Sequence, residues 1–162
     1  MRYYLDCEFN GLGGELISLA LIPESGGHGL YLADQEVERF MAISRAGGAR
    51  RIAFDPWVWA NVLPKIDEGY GPAWAPLDRW PALIEEFLRD DVGTTIITDW
   101  PDDIKYFCAL IITGPGTMIE VRPSIKFEMH RVDAYPTTLV GAIQHNAYWD
   151  AMALRHKLTG AA

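Results

Sequence analysis

Three short runs of residues carry side chains that could do chemistry together. The first is Asp6-Cys7-Glu8, near the start of the 162-residue chain. Along a strand, residues i and i+2 point to the same face, so both carboxylates would share one side. Two acids one pleat apart on an otherwise apolar strand are costly to bury unless something neutralises them. A divalent cation such as Mg²⁺, which prefers oxygen ligands, does so. The same pair also fits a strand edge where both acids face water. The second run is Asp99 to Asp103, where the TTIIT segment ends. Strand-to-helix junctions are a favoured place for ligands in α/β sheets. Helix capping by Asp102 or Asp103 is the competing reading. The third run is His145-Asn146-Ala147-Tyr148-Trp149-Asp150. Residues five apart do not share a face of a regular helix. They converge only if His145 precedes the helix and Asp150 lies in its first turns. The imidazole could then act as general base on a water, with Asp150 as a metal ligand. A surface histidine and a solvated aspartate are the alternative.

The elements that must position these groups are legible in outline. Arg2–Phe9, Glu15–Ile22 and His28–Ala33 read as three strands joined by short turns, Asn10–Gly14 and Pro23–Gly27. Such a run makes an antiparallel meander. Asp34–Ala42 reads as a short helix. Ser44–Trp80 is a long irregular stretch with Arg50, Arg51, four of the six tryptophans and several prolines. Within it, Asp55-Pro56 should start a short helix over Trp57–Val62. Its tryptophans argue against a solvated linker. Trp80–Arg89 reads as an amphipathic helix, Thr94–Thr98 as a central strand, Asp103–Ile112 as a helix, Thr117–Arg122 as a further strand and Ala147–Leu158 as the last helix. The expected fold is one α/β domain over residues 1–162: a mixed β-sheet flanked by α-helices, with an insertion around 44–80.

Taken in order, the three runs change one another's meaning. The chain resembles, over nearly its whole length, the DEDDh 3′–5′ exonucleases, the RNase T-like branch of the ribonuclease H-like superfamily. Asp6-Cys7-Glu8-Phe9 is similar to that family's first motif. Asp103, followed by Ile104-Lys105-Tyr106-Phe107, is similar to the second. His145 to Ala151 is similar to the third, the most specific of them. Compact size and the segment Pro56-Trp57-Val58 with Asn61-Val62-Leu63-Pro64 most resemble small bacterial exoribonucleases of the mycobacterial polyadenylate-specific type. The family often carries Asn four residues before the second-motif Asp. Here Asp99 stands there, so Asp99, Asp102 and Asp103 compete, with Asp103 preferred because Tyr106-Phe107 follow at the family's spacing. The turn after Glu8 is Phe9-Asn10-Gly11 rather than a Thr-rich one.

The resemblance implies a ribonuclease H-like sheet and two Mg²⁺ or Mn²⁺ ions. Asp6 would bridge both, Glu8 and Asp150 would complete one shell, and Asp103 would contact the other ion. It implies His145 as general base and a nucleoside 5′-monophosphate product. Phe9, Asn10, Gly11 and Leu12 follow the metal-binding strand and could cradle the terminal sugar or stack on its base. The partner would be the 3′ end of single-stranded RNA, or of DNA. Homodimers are frequent among the related nucleases.

Composition limits the alternatives. Fourteen basic and 22 acidic residues give a net charge of −8. That argues against a broad basic surface gripping long nucleic acid. It leaves room for a nuclease with a short footprint, whose cations offset phosphate repulsion locally. No apolar run reaches the roughly 18 residues of a membrane span. The N-terminus lacks a signal-peptide pattern, so a cytoplasmic location is expected. Cys7 and Cys108 fit neither a metal spacing nor a disulfide framework, and reduced thiols are expected. Rival readings are a non-catalytic nucleic-acid-binding module, an interaction protein using 44–80 as partner surface, and a ribonuclease H-type endonuclease.

Overall fold

The structure, a computed structural model, describes residues 1–45, 53–120 and 124–161. Arg50, Arg51 and the end of the expected strand at 117–122 lie outside the described residues. Three strands open the chain: β1 (Arg2–Phe9), β2 (Leu16–Pro23) and β3 (Leu30–Asp34). Helix α1 (Gln35–Arg45) follows, then α2 (Pro56–Asn61), a short strand β4 (Ala73–Ala75) and α3 (Trp80–Leu88). Strand β5 (Thr94–Thr98) leads into α4 (Pro101–Ile111), and β6 (Ile112–Gly114) and β7 (Thr117–Met118) form a small ribbon. Strand β8 (Ile125–Met129) and the terminal helix α5 (Ala147–Thr159) complete the described elements.

The main sheet has six strands in the order β4-β3-β2-β1-β5-β8. β1, β2 and β3 pair antiparallel, while β1 with β5, β5 with β8 and β3 with β4 pair parallel. This mixed sheet with flanking helices is consistent with a ribonuclease H-like fold. The expected meander, central strand and major helices stand within a few residues of their expected ends. The irregular 44–80 stretch contains more order than its sequence suggests: α2, β4 and two single-turn helices at 63–65 and 77–79. β8 is absent from the sequence expectation, although Ile125-Lys126-Phe127-Glu128-Met129 alternates apolar and polar as a strand should.

Alternation along β1 decides where its acids go. Tyr3, Leu5 and Cys7 join the core with Trp80, Ile84 and Leu88 of α3 and Phe107 and Ile111 of α4. Tyr4 packs on the other face with Ala147, Ala151 and Leu154 of α5. Asp6 and Glu8 continue that second face toward the strand's C-terminal end. β2 is buried on both sides along its whole length, as a central strand between covered faces must be. Both cysteines are free thiols. No described helix is long and apolar enough to cross a membrane.

Trp80 anchors the α3 side. It is fully buried, and its Nε1 donates to the Ala75 carbonyl at 3.0 Å. Trp80→Ala should destabilise the fold by about 3–5 kcal/mol, because the cavity cannot collapse and a carbonyl loses its donor. Urea unfolding measures this. A loss well under 1 kcal/mol would show that α3 packs independently of the indole.

Candidate active site

β1 delivers Asp6 and Glu8, and the start of α4 delivers Asp103. The Asp103 Oδ2 accepts from the Thr98 hydroxyl at 2.6 Å, a buried contact that turns the carboxylate back over the end of β5. Asp102, its neighbour, points elsewhere: it accepts from Trp100 Nε1 at 3.2 Å and lies 3.5 Å from Lys105 Nζ. Neither acid caps α4, whose N-cap position is Trp100 without a side-chain cap bond. The choice left open among Asp99, Asp102 and Asp103 is thus narrowed by orientation. Asp103 and Asp99 face the site centre, and Asp102 lies at its rim.

α5 brings the remaining pair. Its N-cap is Asn146, whose Oδ1 accepts from Trp149 N at 3.3 Å. The same side chain donates to the carbonyls of Lys65 and Ile66 at 2.7 and 3.2 Å, which ties α5 to the 63–66 turn. His145 precedes the helix with φ +68°, a left-handed conformation in which histidine is enriched among non-glycine residues. That turn folds His145 back over α5, so its backbone N–H donates to Asp150 Oδ2 at 2.9 Å. Two residues that would diverge on one helix converge because one of them stands in the turn before it.

The acids and histidine fall into two groups. Glu8, His145 and Asp150 place possible ligand atoms within 4.8 Å of one another, and Asp6, Asp99 and Asp103 do the same. Among the described residues, Asp6 Oδ2 and Asp150 Oδ1 are buried without a hydrogen-bond partner. Burial pushes the Asp6 and Glu8 carboxyls well above the usual range, and the charges of Asp103 and Asp150 push them further. Burial likewise raises Asp103 and Asp150, each to about 7, against the hydrogen bonds from Thr98 and from the His145 backbone. Burial, then the charge of Lys65, lowers His145 below its ordinary value. Its ring meets Trp57 edge-on at 4.8 Å.

All of these groups line one cleft of about 730 Å³. Phe9, Gly11 and Leu12 line it as well. Phe9 stacks on Tyr106 at 4.9 Å, and Leu12 is almost fully exposed at the rim. Asn10 is not among the lining residues. Its amide donates to the Ala53 carbonyl and accepts from Asp55 N at 2.8 Å, so it braces the entry to α2.

No family model matches the chain. Two curated proteins of Mycobacterium tuberculosis, from strains CDC 1551 / Oshkosh and ATCC 25618 / H37Rv, do match it. Each is named 3′-5′ exoribonuclease. Each is 34% identical over 102 residues, which is 62% of this chain and 52% of the relative. The chain therefore spans about half the length of the curated relatives it matches.

Several residues of the cleft carry no local sequence signal for a site. Trp57 belongs to α2, which Asp55 caps through its Oδ1 with Trp57 N and Val58 N at 2.8 and 3.4 Å. Asp-Pro announces that helix, but not that its first tryptophan would pack on a histidine 88 positions away. Arg131 and Tyr135 come from the segment after β8. The Tyr135 hydroxyl is buried, and burial with the charge of Asp150 pushes its pKa up.

Proposed function

We propose that this chain is a metal-dependent 3′–5′ exonuclease acting on RNA, which removes nucleoside 5′-monophosphates from single-stranded 3′ ends. One observation carries the reading. Buried Asp103, partly buried Asp6, Glu8 and Asp150, and the His145 imidazole, drawn from β1, α4, α5 and the turn before it, converge in a single cleft with two buried carboxylate oxygens left unpartnered. Folding alone gives no reason to gather like charges there, since each costs desolvation and repels the others. The names of the mycobacterial relatives support the direction of attack and the choice of RNA.

The donor set fits divalent cations. Carboxylate oxygens suit Mg²⁺ and Mn²⁺, and orphaned oxygens of Asp6 and Asp150 are what such ions would satisfy. Asp6, Glu8, Asp103 and Asp150 would hold two of them, and Asp99 stands near enough to join. When bound, the ions offset phosphate repulsion, activate water and stabilise the leaving oxygen.

The chain's own residues do the rest. His145, kept neutral near pH 7 by its lowered pKa, accepts the proton of the attacking water. Trp57 and the backbone bond to Asp150 fix the position from which it does so. Water oxygen adds to phosphorus, the bond to the upstream 3′-oxygen breaks, and that oxygen takes a proton from solvent. Phe9, Gly11 and Leu12 flank the place of the terminal nucleoside.

The test is digestion of matched 3′-labelled RNA and DNA oligomers with Mg²⁺ or Mn²⁺, with and without chelator. The expected result is chelator-sensitive release of 5′-monophosphates, with RNA preferred. Faster digestion of DNA would reassign the substrate. Binding without metal-dependent release would leave a non-catalytic module.

A further inference from the structure

Trp100 and Arg131 form a fixed, outward-facing stack at one end of the cleft. The indole is 44% exposed. The guanidinium lies 4.6 Å from the ring centroid. Both edges of the pair are pinned: Arg131 Nη1 donates to the Asp99 carbonyl at 2.6 Å, and Trp100 Nε1 donates to Asp102 at 3.2 Å. Arg131 is also the only lysine or arginine among the described residues lining the cleft. A surface cation–π pair can serve stability alone, at about 0.5–1 kcal/mol. Its place beside the acids suggests more.

In-line displacement gives the cleft a direction. Attacking water and departing 3′-oxygen lie on opposite sides of phosphorus. His145 stands in the group with Glu8 and Asp150, so the water enters there. The departing oxygen, and the rest of the strand attached to it, must leave past the other group, Asp6, Asp99 and Asp103. Trp100 follows Asp99 in the chain, and Arg131 is bonded to the Asp99 backbone. The stack therefore stands on the exit side of the strand.

Resting on the exonuclease reading, we propose that Trp100 and Arg131 form the subsite for the nucleotide immediately upstream of the scissile bond. The layered indole and guanidinium offer its base a planar stacking face, and the guanidinium contacts its phosphate. Stacking of this kind tolerates any base and requires an unpaired one.

The test compares two substrates. One is a single-stranded RNA oligomer. The other is the p-nitrophenyl ester of a nucleoside 5′-monophosphate, which keeps the scissile phosphate but lacks any upstream nucleotide. Trp100→Ala and Arg131→Ala should each lower the ratio of kcat/KM for the oligomer to that for the ester, by roughly 5- to 150-fold from the usual worth of one stacked base. Most of the loss should fall on KM. Trp100→Tyr, which keeps a stacking ring, should restore most of the ratio. Because Trp100 begins the helix that carries Asp103, general damage to the site would depress both substrates together. An unchanged ratio in active variants overturns the subsite alone. A wild-type protein inactive on both substrates overturns the exonuclease reading, and the subsite falls with it.

Discussion

Replacing His145 with alanine should lower turnover of an RNA 3′ end by about 10²- to 10⁴-fold, the usual worth of a positioned general base. Binding of Mn²⁺ should change little. The separation follows from how the residue is held. Its contact with Asp150 is made by the backbone N–H, which survives any side-chain replacement. The imidazole itself packs on Trp57 and faces the cleft. Alanine is poorly suited to the positive φ at this position. His145→Asn serves as the second variant, since asparagine tolerates that conformation. Single-turnover digestion and Mn²⁺ calorimetry on both variants make the measurement. Turnover within about threefold of wild type would remove His145 as the base. Loss of metal binding in both variants would instead assign it to the ligand shell.

Legibility of the site tracks how local its causes are. Asp6 and Glu8 can be placed from sequence because period-two alternation on β1 is a local property, and Tyr3, Leu5 and Cys7 mark the opposite face. Divergence of His145 and Asp150 on a helix is equally local: the two can converge only with His145 in the preceding turn, where the structure puts it. The choice among Asp99, Asp102 and Asp103 is not local. Orientation narrows it: the Thr98 hydroxyl turns Asp103 inward, and Trp100 and Lys105 draw Asp102 out, while Asp99 still faces the centre beside Asp103. Arg131 and Tyr135 are harder still. They reach the cleft only because β8 adds to β5 in parallel and returns the chain beside Asp99. Asn10 shows the converse. Its position after Glu8 suggests a substrate contact, yet two backbone groups of residues 53–55, distant in sequence, claim its amide.

Asp6→Asn should abolish measurable exonuclease activity and, in the metal-free protein at pH 8, raise thermal stability. The two effects have one cause. Asp6 has a buried carboxylate oxygen, and its desolvation, then the charges of Asp103, Asp150, Glu8 and Asp99, push its carboxyl pKa up. An acid whose pKa is raised on folding contributes stability that is fully present below its unfolded value and is lost as pH rises through its folded value. For Asp103 and Asp150 those limits are the ordinary 3.8 and about 7. The metal-free wild type should therefore lose stability between pH 5.5 and pH 8, because the four raised carboxyls outweigh the single lowered imidazole of His145, whose contribution runs the other way as pH rises through its unfolded value. That range lies above the region where Glu128, held low by its hydrogen bonds to Arg2, would lose its own contribution. Asparagine keeps the volume of the protonated acid and removes its charge, so the melting temperature at pH 8 should rise by a few degrees, at about 2–4 °C per kcal/mol for a chain of this size. Divalent ions need ionised ligands, so Mn²⁺ should stabilise the wild type more at pH 8 than at pH 5.5. It should stabilise Asp6→Asn far less at either pH. Thermal melts at the two pH values, with and without Mn²⁺, give all of these comparisons. An equal Mn²⁺ shift in the two proteins would remove Asp6 from the metal site. A metal-free wild type that melts higher at pH 8 than at pH 5.5 would contradict the electrostatic strain from which the site is inferred.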